Sequence, residues 1–148
     1  MGFSPLGLVV SLAVLAPNLL MLAFPSRTPM PQARIPAPLA WLERAGQALC
    51  LVVPAITAAG ELHGWWAVPA AAAVAIYWAL WVRYLASDRR ASALYRPLWR
   101  LPVPMAVLPV IAFAATAAWL SNWWIALAAG LLAAGHIPAS VLTARAAN

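Results

Sequence analysis

The chain has 148 residues, 66% of them hydrophobic and 8% charged, with nine arginines, three carboxylates and a net charge of +6. An ordinary soluble domain carries about a quarter charged residues, so this composition excludes one and points to a bilayer. Lysine is absent, which excludes a lysine Schiff base with retinal or pyridoxal phosphate; the single cysteine excludes an intrachain disulfide and an all-thiolate metal site.

Five apolar stretches follow one another: Ser4–Phe24, Leu39–Ala59, Trp65–Leu85, Pro102–Leu120 and Trp123–Thr143. At ~1.5 Å per residue each reaches about 30 Å, the thickness of the hydrocarbon core. The expected fold is all-α, a polytopic five-transmembrane-helix bundle forming one integral membrane domain over residues 1–148. The opening MGFSPLG has no basic flank and the apolar stretch after it is too long for a signal peptide, so the first span is expected to be retained.

The first connection, PSRTPMPQARIPAP, holds five of the fourteen prolines and reads as an extended strap. In the second span Glu43, Gln47, Cys50 and Thr57 fall on one helical stripe around Pro54. The third span carries Tyr77, Trp81 and Tyr84 on one face. After it, SDRRASALYRPLWR reads as a short segment lying along the headgroups. The fourth span aligns Pro102, Pro109 and Thr116, and the fifth places His136 and Ser140 one turn apart in GHIPAS. Pro17, Pro54, Pro109 and Pro138 lie inside spans and free the carbonyls of Ala13, Cys50, Met105 and Ala134, which neighbouring side chains or water must satisfy. The ladders Ala71–Ala75–Ala79 and Ala126–Gly130–Ala134 are spaced by four and predict close helix contact.

Charge sets the expected orientation. The arginines (27, 34, 44, 83, 89, 90, 96, 100 and 145) flank the first connection, the third connection and the C-terminal tail, while the other three ends carry none. The positive-inside rule then places the N-terminus out and the C-terminus in. Trp65, Trp66, Trp119, Trp123 and Trp124 form a belt at the outer end, with Trp41 and Trp99 at the inner one; Trp78 lies deeper and fits no belt.

Polar groups in lipid are costly, so they mark the candidate site. Asn18, Gln47, Tyr77 and His136 each lie six to eight residues from the predicted cytoplasmic end of their span, about 10 Å deep at the helical rise, with Pro109 at the same level. With Ser140, they are the expected ligand-binding residues. The competing reading is a packing network in which these groups satisfy one another. Glu43, Arg44 and Arg83 are expected just below the layer. No catalytic set or metal site is expected: His63 and His136 lie at opposite ends, and Cys50 sits about a turn deeper than His136. No cofactor is implied.

The segments APNLLMLAFP, ERAGQ, YWALWVRYL, LPVPMAVLPV and GHIPAS resemble an uncharacterised family of small multi-pass bacterial inner-membrane proteins, over nearly the whole chain. The tryptophan-rich sensory protein family is similar in size, span count and tryptophan content; its proline–tryptophan motif has no counterpart in PSRTPMPQARIPAPLAW. The resemblance, with the alanine-rich, lysine-free composition, implies a bacterial cytoplasmic membrane. Expected partners are the bilayer and anionic lipids at the arginines, with no nucleic acid, and a homo-oligomer or a larger membrane partner stays open. Three functions fit: binding or transport of a small hydrophobic or amphipathic ligand, an accessory subunit of a membrane complex, and an enzyme acting on lipid.

Overall fold

The computed structural model describes residues 2–147 and is all helical. Helices α1 (Pro5–Ala23), α2 (Ala37–Ile56), α3 (Ala67–Ala86), α4 (Ser92–Tyr95), α5 (Pro104–Trp119) and α6 (Trp123–Ala146) follow in order, with a 3-10 turn at Gly64–Trp66 leading into α3. Four helical segments, α1, α2, the turn with α3, and α6, are long and apolar enough to cross a membrane; α5 is apolar but shorter, at 16 residues.

The shortening of α5 departs from the expected fourth span and has a local cause. Leu101 and Val103 each precede a proline, which biases both residues away from helical geometry. Val103 takes φ −134° and ψ 70°, and the helix begins at Pro104, where a missing N–H costs nothing. At ~1.5 Å per residue α5 is about 24 Å long. It still runs from one end of the bundle to the other. Its start adjoins the Leu98–Leu101 turn, while the carbonyls of Trp119 and Leu120 accept from His63 and Gly60 at the far end.

Within the bundle α2 packs on α6, α6 on α5, α5 on α3 and α1 on α2, with a lighter contact of α1 to α3 and α5. Helix α5 is the central post. Nine of its 16 residues are buried, against three of 20 in α2. The core gathers Tyr77, Leu80 and Tyr84 of α3 around Leu108 and Phe113 of α5 and Ile125 and Leu132 of α6. Outward faces are apolar too: Val9, Leu12, Val52, Val68, Val82 and Leu127 are all exposed. So much exposed hydrocarbon around a packed interior suits lipid contact and would be a liability in water.

Close approach rests on glycines other than those of the expected ladders. A Cβ on Gly135 of α6 would stand 2.2 Å from the Glu43 nitrogen of α2, and one on Gly46 of α2 would stand 2.5 Å from the Leu132 Cα of α6. Both ladders instead lie on the outside. Ala71, Ala75, Ala79, Ala126, Gly130 and Ala134 are exposed, and no described group lies within 4 Å of a Cβ built on Gly130. Spacing by four selects a helix face; which face meets a neighbour is set by the rest of the bundle.

Two proline-freed carbonyls find side-chain donors on neighbouring helices. Ser11 Oγ donates to Cys50 O at 3.0 Å, and Trp78 Nε1 donates to Ala13 O at 2.9 Å. The second bond explains why Trp78 sits away from either tryptophan belt.

At the tryptophan-rich end, Asn122 caps α6 by accepting from the Trp124 and Ile125 amides, and its amide donates to Thr57 Oγ1 at 2.8 Å. At the arginine-rich end the first connection docks on the third. Ser26 Oγ and the Arg27 amide both donate to Arg89 O, Arg27 pairs with Asp88, and Thr28 Oγ1 accepts from the Ala91 amide. Asp88 and Arg89 are both left-handed, φ 59° and 56°, at roughly 1–2 kcal/mol each. The docking bonds offset that strain. The third connection is less superficial than expected: Ala91, Ala93 and Leu94 are buried, and α4 folds back over the bundle end.

Candidate functional site

Two chambers open in the half of the bundle nearer the arginines. The deeper one has a volume of about 260 Å³ and draws on five helices: Asn18 from α1, Gln47 and Cys50 from α2, Tyr77 from α3, Pro109 from α5 and His136 from α6. Val14, Leu15, Leu51, Phe113 and Leu132 supply apolar wall. The nearer chamber, about 250 Å³, lies against Met21, Trp81, Leu94, Tyr95, Val103 and Ser140. Asn18, Tyr77 and His136 border both, so the chambers meet across these three side chains. Each is slightly smaller than a typical small-molecule site of ~300–1,000 Å³, and the pair together falls within that range.

The five residues singled out in the sequence all lie on these walls: Asn18, Tyr77 and His136 between the chambers, Gln47 in the deeper and Ser140 in the nearer.

Hydrogen bonds order part of the wall. Tyr77 donates its hydroxyl proton to Asn18 Oδ1 at 3.0 Å, and Asn18 Nδ2 donates back along its own helix to Val14 O at 2.8 Å. His136 Nδ1 lies 2.7 Å from Glu43 Oε1. Glu43 was expected beneath the layer; the structure brings it in as the histidine's partner. Gly135 is the reason. Its missing side chain lets the Glu43 backbone touch α6 beside His136, so the carboxylate reaches the ring. The pair leaves Nε2 for a second partner, and both side chains are about a quarter exposed, 24% and 25%.

Tyr95 in the α4 turn overlooks the same pair. Burial, and then the Glu43 carboxylate, hold its hydroxyl pKa above the ordinary tyrosine value, which keeps it protonated as a donor. The Trp81 indole N–H is buried without an acceptor among the described residues. Sequence periodicity pointed to Trp81 but could not reach Leu94 or Tyr95, which come from a connection and return to the bundle only through tertiary folding. Arg83, expected just below the layer, spends Nη2 on the carbonyls of Ala93 and Arg96, tying α4 to α3.

Cys50 shares the deeper chamber with His136. Among the described residues no three His, Cys, Asp or Glu side chains come together as a metal site needs. His63 and Glu61 are exposed on the turn at the opposite end. A larger hollow, about 580 Å³, lies elsewhere, on the arginine-rich surface between the third connection and the end of α6, with Arg90 and Arg96 on its rim. In the two chambers polar side chains of α1, α2, α3 and α6 converge within an apolar shell, the arrangement typical of small-molecule sites.

No family model, curated protein or solved structure matches this chain.

Proposed function

We propose that the chain is a five-span protein of a bacterial cytoplasmic membrane, N-terminus out and C-terminus in, that binds or passes a small hydrophobic or amphipathic ligand. The observation that carries this reading is the convergence of Asn18, Gln47, Tyr77 and His136 on one chamber within an otherwise apolar bundle. A packing network alone has no need of that space, since interiors close to near-crystalline density where nothing occupies them. The amides of Asn18 and Gln47 each offer a donor and an acceptor, the Tyr77 hydroxyl positions Asn18, and His136 presents Nε2 with its tautomer biased by Glu43. Leu51, Phe113 and Leu132 take the apolar part of the ligand.

Orientation follows from the arginines. Those of the first and third connections gather at one end, where the two connections are hydrogen-bonded together, and the exposed tryptophans Trp65, Trp123 and Trp124 lie at the other. The Arg90 and Arg96 hollow suits the phosphates of anionic lipids at the cytoplasmic face. A second reading, an accessory subunit or homo-oligomer, is favoured by the exposed small-residue ladders on α3 and α6.

Purification in mild detergent followed by solvent extraction and mass spectrometry tests the reading. A single amphiphile near one per chain is expected. An extract matching bulk membrane lipid would contradict it, and a stoichiometric larger protein in the same preparation would favour the subunit reading.

A further inference from the structure

The wall between α1 and α2 is sealed along only part of its length. Toward the tryptophan-rich end the two helices are tightly joined. Gly2 N donates to Ile56 O, Ser4 N to Ala55 O and Ser11 Oγ to Cys50 O, all at about 3 Å. Between them Gly7 lies so close that a Cβ there would stand 1.9 Å from Pro54 O. Beyond Ser11 the partners change. Trp78 bonds Ala13 O, Tyr77 bonds Asn18 Oδ1, and Tyr84 bonds Phe24 O, so the second half of α1 is held against α3. Helix α2 is held the other way, against α6, by Gly46 on Leu132 and Glu43 on Gly135.

The bonds and close approaches between α1 and α2 thus stop at Ser11. Asn18 and Gln47 line the deeper chamber and yet are both exposed, which two residues on the walls of a closed interior would not be. Leu15 and Leu51 stand beside them, with Leu19 and Leu22 exposed along the rim of α1. Toward the arginine-rich end Leu94 of α4 and Val103 are buried beside the nearer chamber, with Tyr95 and Met105 packed against them. The first connection leaves its docking site at Ser26–Thr28 and runs on to the start of α2.

We propose that the chamber is entered sideways, through the α1–α2 slot, from the cytoplasmic leaflet of the bilayer. Its ligand is then a membrane-dissolved amphiphile whose uncharged head both donates and accepts hydrogen bonds. The head is uncharged because the walls of both chambers carry no arginine and no carboxylate: Arg83 is turned to the carbonyls of Ala93 and Arg96, and Glu43 meets the wall only through His136. The amides at the slot suit such a head in passage, and the leucine rim matches the acyl chains outside.

This route rests on the ligand-chamber reading, and the experiment separates the two. The protein is reconstituted in phosphatidylcholine vesicles and irradiated with a diazirine-bearing long-chain alcohol dissolved in the lipid, or with a short water-soluble diazirine alcohol added outside the bilayer. Adducts are mapped by peptide mass spectrometry. The long-chain probe should mark Gln47–Leu51 and Leu132–His136, and Leu19→Trp or Ala48→Trp on the exposed rim should cut that labelling several-fold while leaving labelling of the outer helix faces unchanged. Labelling of those peptides by the water-soluble probe alone, or labelling indifferent to both rim variants, would overturn the sideways route and leave the chamber as a ligand site. Labelling confined to outer helix faces with both probes would overturn the route and the ligand chamber together.

Discussion

Replacing Gly135 by alanine tests the link between packing and site most sharply. The new Cβ would stand 2.2 Å from the Glu43 nitrogen, 2.5 Å from its Cα and 2.6 Å from the Leu42 carbonyl carbon. All three are backbone atoms of α2 and cannot rotate away. Ordinary contact begins near 3.4 Å, so α2 and α6 must part by roughly 1 Å, enough to forfeit a quarter to a half of the dispersion well along the seam. Overpacking of this kind costs about 1–3 kcal/mol. Helix propensity returns up to ~1 kcal/mol, because alanine is the better helix former. Gly130→Ala, five residues earlier and facing open space, receives the same propensity gain without the clash. The two variants should therefore differ by about 2 kcal/mol, with Gly135→Ala the less stable, in an SDS-titration unfolding curve of the protein in mild detergent micelles. Equal stability would refute the glycine-mediated α2–α6 seam, and with it the explanation for how Glu43 reaches His136.

The proline-freed carbonyls make a second case: Ser11→Ala and Trp78→Phe should each lose about 1–3 kcal/mol in the same titration by orphaning Cys50 O and Ala13 O, while Trp123→Phe at the surface stays within about 0.5 kcal/mol of the parent. Orientation is checked with single cysteines in a Cys50→Ala background. A cysteine at Gly64 should react with an impermeant thiol reagent applied to intact cells, and one at Ser92 should not; the reverse pattern would place the chambers in the outer half.

Hydropathy and charge made the helices and their ends legible because both are summed over many residues, so single exceptions do not matter. Counting residues along helices of similar length set Asn18, Gln47, Tyr77 and His136 at one level, and in the structure the four line one chamber. What escaped depended on single contacts. Helix α5 starts two residues later than expected, at Pro104, because Leu101 and Val103 each precede a proline, a signal present in the chain but outweighed by continuous apolarity. In an alanine-rich chain every face carries small residues, so ladder spacing could not separate Gly130, in open space, from Gly135, pressed on Glu43. Glu43 entered the site only because that contact exists. Leu94 and Tyr95 line the nearer chamber because Arg83 and the docked strap fold the third connection inward, and no periodicity within that connection encodes it.

The ligand content of His136→Ala, measured beside its thermal unfolding, tests the central claim most directly. His136 borders both chambers and pairs with Glu43, whereas His63 is exposed at the opposite end and serves as the control. Loss of the copurified amphiphile from His136→Ala is expected, from a protein that still inserts and folds, with stability lowered by about 1–3 kcal/mol for the broken bond. Ser140→Ala, one turn away on the same wall, should show the same loss in milder form, and His63→Ala should retain the amphiphile in full. A His136→Ala protein with unchanged ligand content and unchanged stability would contradict the account.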